Sequence, residues 1–194
     1  GSDLWPYRGL EKPREPHRIG HEYVGVVEEI GADVQNIRVG DHVVGSFFAS
    51  DNECELCRSG YQSHCVNRVG MGSIGTQAER ARVPLADGTL VRVNGEPSPE
   101  QLRSLLAASD VLGTGWFGAV VAEVGPGKTV AVVGDGAVGL SAILAAQELG
   151  AERIIAMSRH ADRQALARKF GATDIVEERA DAGAARIKQL TNGI

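Results

Sequence analysis

Cys54, Cys57 and Cys65 stand as C-x2-C-x7-C, with Asp51 three residues before the first of them. Three thiolates in one loop suit Zn²⁺, which takes four tetrahedral ligands. Asp51 is the candidate for the fourth, because a carboxylate oxygen is an acceptable zinc donor. His64 competes for that place, but as the neighbour of Cys65 it would strain the loop. A redox C-x-x-C fits badly, since that pair belongs at a helix start inside an α/β unit and Cys54-Cys57 reads as loop.

A second constellation is Gly134-Asp135-Gly136-Ala137-Val138-Gly139, a G-x-G-x-x-G. Alone the pattern is common, but here an apolar strand precedes it and a helical stretch follows. Gly134 permits the tight turn, Gly136 lets backbone approach a pyrophosphate, and Gly139 lets helix pack on strand. The helix N-terminus then offers free N–H groups and a positive dipole end to phosphate. An NAD site ordinarily carries Asp or Glu about twenty residues further on, holding the ribose 2′-OH. This chain has Ser158 there, followed by Arg159 and, later, Arg163. Ser and Arg would hydrogen-bond and neutralise a 2′-phosphate that a carboxylate would repel. The string therefore predicts a preference for NADP(H) over NAD(H).

The third is Gly20-His21-Glu22-Tyr23-Val24-Gly25. His21 is expected to open a strand, with Glu22 on the opposite face. A histidine in that setting is more often structural than a ligand, so its meaning depends on what surrounds it.

These groups need elements to hold them. From Tyr23 to about Val93 the apolar residues come in short β-branched runs between Gly, Pro, Asn and Asp. Tyr23–Val27, His42–Gly45 and Thr89–Val93 read as strands of a barrel or sandwich. From Pro99 onward the texture is helical, with Glu100–Ala108 rich in Leu and Ala. Thr129–Val133 then reads as a buried strand, Gly136–Leu149 as a helix and Arg153–Met157 as a second buried strand. A helix over Ala161–Phe170 and a strand at Asp174–Val176 complete the pattern. Alternating apolar strands and helices predict a parallel sheet. The expected class is all-β plus α/β, with domains over 1–112 and 113–194 and the junction near 110–127.

Composition narrows the chemistry. The 194 residues carry 20 Lys+Arg and 25 Asp+Glu, a formal charge of −5, with no basic run for a phosphate backbone. No nucleic-acid partner is expected. Nor is a membrane span, since no stretch approaches about 18 consecutive apolar residues. Three cysteines are too few for a disulfide scaffold, which points to a reducing compartment, the cytoplasm.

The string G-H-E-x2-G-x5-G-x2-V over Gly20 to Val34, the cysteine loop and the G-x-G-x-x-G together resemble the zinc-dependent alcohol dehydrogenases of the medium-chain dehydrogenase/reductase superfamily. Gly75-Thr76-Gln77-Ala78-Glu79 with Val83-Pro84, and Asp110-Val111-Leu112-Gly113-Thr114-Gly115, extend the likeness over essentially the whole chain. The resemblance implies a GroES-like β-barrel catalytic domain followed by a Rossmann-type cofactor domain, here partial. It implies a zinc enzyme moving hydride between an alcohol, aldehyde or ketone and NAD(P), usually as a homo-oligomer. By the same resemblance His21, Glu22 and Asp110 belong to a catalytic zinc, Asp110 standing where many relatives have cysteine. A role for Asp110 as cap of the following helix is the alternative. Ser2 resembles the hydroxyl that takes the alcohol proton, Asp3 the acid that orients the imidazole, and Thr114 and Val138 residues facing nicotinamide.

Departures are the absence of the first catalytic cysteine, Asp51 in place of a structural-zinc cysteine, and Ser158-Arg159 in place of the acid. They leave two rivals: a zinc-free NADPH quinone or enoyl reductase, and a catalytically inactive NADP-binding protein. The chain is also short for this fold, so an internal fragment is expected, inactive and aggregation-prone by itself.

Overall fold

The computed structural model describes residues 1–10 and 15–193. It divides into two compact units, Gly1–Asp110 and Val111–Ile194.

The first unit runs α1 (Leu4–Tyr7), β1 (Tyr23–Val26), β2 (His42–Gly45), β3 (Phe48–Ala49), α2 (Glu55–Arg58), β4 (Val69–Gly70), α3 (Ala86–Thr89), β5 (Leu90–Arg92) and α4 (Pro99–Ala108). One antiparallel sheet has the order β1-β2-β5, and β3 pairs with β4 in a second. β2 is the central strand, and Val43, Val44 and Gly45 are all buried. Gly45 lies opposite Tyr23, and any side chain there would strike the Tyr23 ring. The strand expected over Thr89–Val93 is shorter than its apolar run. Thr89 closes α3 instead, and its buried hydroxyl is held against Ser50 and Pro84. α4 begins where its sequence dictates. Ser98 Oγ accepts from the Gln101 N–H and Gln101 Oε1 accepts from the Ser98 N–H, with Pro99 in the first turn.

The second unit runs α5 (Val111–Val121), β6 (Thr129–Val133), α6 (Ala137–Glu148), β7 (Arg153–Met157), α7 (Ala161–Lys169), β8 (Asp174–Val176) and α8 (Ala180–Leu190). The sheet is parallel, in the order β6-β7-β8. Its core is Val132, Leu140, Ile143, Ala146, Ile154, Ala156, Ala167 and Ala172. Each fully buried Ile contributes about 1.5–3 kcal/mol of apolar transfer. β7 is buried as expected. β6 is only partly so: Val130 and Val132 pack in the core, whereas Val133 is 79% exposed. Two helices fall outside the sequence reading. α5 occupies much of the expected junction, and it packs on α6 so closely that a Cβ on Gly115 would lie 2.6 Å from the Ala142 nitrogen. α8 closes the described part of the unit. Among the described residues no single helix is long and apolar enough to cross a membrane.

Candidate metal and cofactor sites

His21 and Glu22 precede β1, which starts at Tyr23, so the alternation of a strand does not govern them. Glu22 was expected on the opposite face from His21. Instead one donor atom from each of His21, Glu22 and Asp110 lies within 4.8 Å of the others. The chain around them is fixed by backbone pairing: the Gln77 N–H donates to the Ile19 carbonyl and the Thr76 N–H to that of Gly20. Gly20, at φ +99°, passes so close that a Cβ would meet the Gln77 nitrogen. Asp3 reaches the same place from α1. Its Oδ1 lies 3.3 Å from His21 Nδ1, while its Oδ2 accepts from Gln77 Nε2 at 2.8 Å. On the other side of the ring, Asp110 Oδ2 lies 3.1 Å from His21 Nε2.

This arrangement has a chemical consequence. Asp3 stands at Nδ1 and Asp110 at Nε2, so a carboxylate flanks each ring nitrogen, and a neutral imidazole can donate to only one of them while the other presents its lone pair. Lone pair against carboxylate is repulsive unless something positive sits between them. A second ring proton does this, and so does a metal cation, for which imidazole plus carboxylate oxygens is an acceptable donor set. Ser2 is exposed immediately before Asp3, with its carbonyl accepting from the Trp5 N–H.

Asp51, Cys54, Cys57 and Cys65 form a second donor set, again with one atom of each within 4.8 Å of the rest. Cys57 and Cys65 are buried, and Cys54 is the N-cap of the one-turn helix α2 and so is not in irregular loop. Asp51 Oδ1 accepts from the N–H groups of Glu53 and Cys54 and from the Cys65 thiol, and its Oδ2 from Asn67 Nδ2 at 2.7 Å. These bonds, the Glu53 N–H foremost, hold the Asp51 carboxyl well below the usual carboxylate range. Burial pushes the Cys57 thiol up to about 12, whereas the N–H groups of Val66 and Cys57 lower that of Cys54. A compact set of three sulfurs and one carboxylate with one thiol strongly protonated is what a soft divalent cation relieves. The donor set fits zinc. His64 stays outside it, its Nδ1 3.0 Å from Ser63 Oγ and its ring edge-on to Tyr61.

In the second unit the glycine loop joins β6 to α6. Gly134 takes φ +115°, a Cβ on Gly139 would collide with the Gly134 carbonyl oxygen, and Gly136 is the N-cap of α6. Thr114 on α5 is exposed, and Val138 on α6 is 42% exposed. Arg159 is exposed just after β7. Ser158 and Arg163 were expected to serve a phosphate, but both turn to Asp135. Ser158 Oγ donates to Asp135 Oδ2 at 2.8 Å and Arg163 Nη1 to Asp135 Oδ1 at 3.0 Å. Burial pushes the Asp135 carboxyl up, but these bonds and the Arg163 charge outweigh it and leave it below its ordinary range. Asp135 was missed from sequence, although an acid between the first two glycines of the loop is visible there.

Known proteins agree with both units. The family described as "Alcohol dehydrogenase GroES-like domain" matches residues 1–95, and that described as "Zinc-binding dehydrogenase" matches 137–194. The zinc-type alcohol dehydrogenase B of Aspergillus flavus is 36% identical, over 100% of this chain and 47% of that protein. The glutathione-independent formaldehyde dehydrogenase of Pseudomonas aeruginosa is 38% identical, over 88% of this chain and 46% of its own length. Among solved structures, an alcohol dehydrogenase from Thermus sp. ATN1 superposes with a TM-score of 0.82 at 35% identity, covering 100% of this chain and 57% of that one. The chain belongs to the zinc-dependent alcohol dehydrogenases of the medium-chain dehydrogenase/reductase superfamily. It spans about half the length of the curated relatives it matches.

Proposed function

We propose that this chain carries the metal site and the nucleotide loop of an enzyme that transfers hydride between a small alcohol and a nicotinamide cofactor. The observation that carries the reading is His21, with Asp3 at Nδ1, Asp110 at Nε2 and Glu22 in the same cluster of donor atoms. Zinc held by these three side chains supplies Lewis-acid polarisation of the substrate oxygen, and the nicotinamide supplies the hydride acceptor or donor.

The chain's own groups do the rest. Asp3 keeps the His21 proton on Nδ1 and turns Nε2 into the donor atom. Asp110 brings a hard oxygen where a thiolate would donate more charge, and this leaves the site more electrophilic. Glu22 shares the cluster and would offer a second carboxylate oxygen to an ion held there. Ser2, exposed beside Asp3, passes the alcohol proton to solvent. The Asp51–Cys65 cluster holds a structural zinc, and its free thiols suit a reducing compartment such as the cytoplasm.

For the cofactor the preferred form is NADP(H), supported by Ser158 in place of an acid at the end of β7 and by the exposed Arg159 next to it. Arg159→Ala is expected to raise the KM for NADP(H) far more than that for NAD(H), and equal effects would remove the preference. For the metal reading, His21→Ala is expected to lower bound zinc by about one equivalent while adenine-nucleotide binding persists. Zinc content unchanged by this substitution would refute the reading.

A further inference from the structure

We propose that Asp135 is a specificity-determining residue of the nucleotide site, competing from within the chain for Ser158 and Arg163, the groups a cofactor's 2′-phosphate would engage. The inference rests on the nucleotide-binding reading of the glycine loop and deepens it.

Both oxygens of the Asp135 carboxylate are engaged, Oδ2 by the Ser158 hydroxyl at 2.8 Å and Oδ1 by Arg163 Nη1 at 3.0 Å. A serine hydroxyl has one proton, and an ionised carboxylate only accepts. The Ser158 proton is therefore directed at Asp135, and the remaining faces of Oγ carry lone pairs. Such a hydroxyl can accept from a ribose 2′-OH, which donates. It has no proton to give a 2′-phosphate, which only accepts.

Charge acts in the same direction. The Arg163 guanidinium is balanced locally by the Asp135 carboxylate, so it adds little net attraction for a dianion. The carboxylate itself repels that dianion. Asp135 is 8% exposed and Ser158 1%, so water cannot easily replace either bond or screen the charge. Arg163 is different, with 52% of its side chain exposed, and is free to rotate towards a phosphate once its partner is gone. Arg159 attracts the 2′-phosphate and Asp135 opposes it, so the preference for NADP(H) is narrower than Ser158-Arg159-Arg163 alone would set.

The test is calorimetric titration of the full chain with 5′-AMP and with adenosine 2′,5′-bisphosphate, which needs no turnover. In Asp135→Asn one carboxylate oxygen becomes an amide NH2, which cannot accept, so the partner at that oxygen is released and the Arg163 charge is left unbalanced. The expected result is a rise of about tenfold in affinity for the bisphosphate, with 5′-AMP within about twofold of the unmutated chain. Ser158→Ala is expected to change bisphosphate affinity by less than about twofold in the unmutated chain. In the Asp135→Ala background it is expected to remove most of the gain, because there the hydroxyl has a proton to donate. Asp135→Ala, which releases both partners, serves if the amide disturbs the loop. Bisphosphate affinity that stays level or falls in both Asp135 variants, with 5′-AMP still bound, overturns this inference alone. Absence of binding of either nucleotide to the unmutated chain overturns the cofactor reading and this inference with it.

Discussion

The Asp3 carboxylate meets the His21 ring at Nδ1, 3.3 Å away, on the side of the ring opposite Asp110. Asp3 is itself held by Gln77 Nε2 at 2.8 Å, so the pair is oriented from both ends. Asp3→Ala is expected to weaken zinc at the His21 site about 10–100-fold, measured by competition with a chelator. Unchanged affinity would mean that the ring is held by its backbone alone.

At the cysteine site a structural zinc supplies about 10–16 kcal/mol in all, or roughly 3 kcal/mol per ligand. Asp51→Asn is expected to lower zinc affinity there by about two orders of magnitude. Asp51→Cys is expected to retain the metal. Inductively coupled plasma analysis after dialysis against a chelator separates the two.

The same site has a defined pH dependence. Burial holds the Cys57 thiol up at about 12 without a cation, so zinc binding must expel its proton. Zinc affinity is therefore expected to rise with pH between about 6 and 9, with protons released on binding. Titrations in two buffers of different ionisation enthalpy count those protons, and zero release would sink the thiolate assignment.

The glycine loop offers a matched pair of substitutions. A Cβ on Gly139 would strike the Gly134 carbonyl oxygen, whereas one on Gly136 has open space around it. Gly139→Ala is expected to destabilise the fold by about 1–3 kcal/mol, read from the urea midpoint. Gly136→Ala should fold with less than about 0.5 kcal/mol of change yet bind nucleotide more weakly, because its methyl group faces the phosphate approach.

Asp174 supplies a stability term with a clear sign. Two hydrogen bonds from Arg153, at Nε and Nη2, lower its carboxyl from 3.8 to about 2. A depressed carboxyl stabilises the folded state above its unfolded value, and that contribution fades as pH falls from about 4 to about 2. Denaturant midpoints at pH 5 and pH 2.5 should differ less for Asp174→Asn than for the unmutated chain. An identical pH slope would show that the pair is already disrupted by solvent.

What the sequence discloses depends on how local the information is. Asp51, Cys54, Cys57 and Cys65 were legible because every donor lies in one short stretch with a metal-binding spacing. Strands β2, β6, β7 and β8 match their apolar runs residue for residue, since each run is short and bounded by turn or helix residues. Glu22 was misplaced because strand alternation was extended two residues before Tyr23, where pairing has not begun. The exposure of Val133 on β6 was not visible either, because an unbroken apolar run does not say which face of the strand is covered. α5 is apolar around its whole circumference, so it has no periodic stripe to read. Asp135 was overlooked because the expected acid belongs at the end of the next strand. Its meaning appears only when Ser158 and Arg163 are seen to converge on it.

The two metal sites differ in how far apart their donors lie along the chain. Asp51 and Cys65 are 14 positions apart, whereas His21 and Asp110 are separated by 89. Closing a short loop takes well under a microsecond and little entropy, while joining distant segments waits for the intervening chain to settle. The thiolate site is thus a local clip that can close on its ion while the polypeptide is still emerging. The histidine site is a late product of folding. In refolding with cobalt(II), the thiolate charge-transfer band should precede any signal from the His21 site.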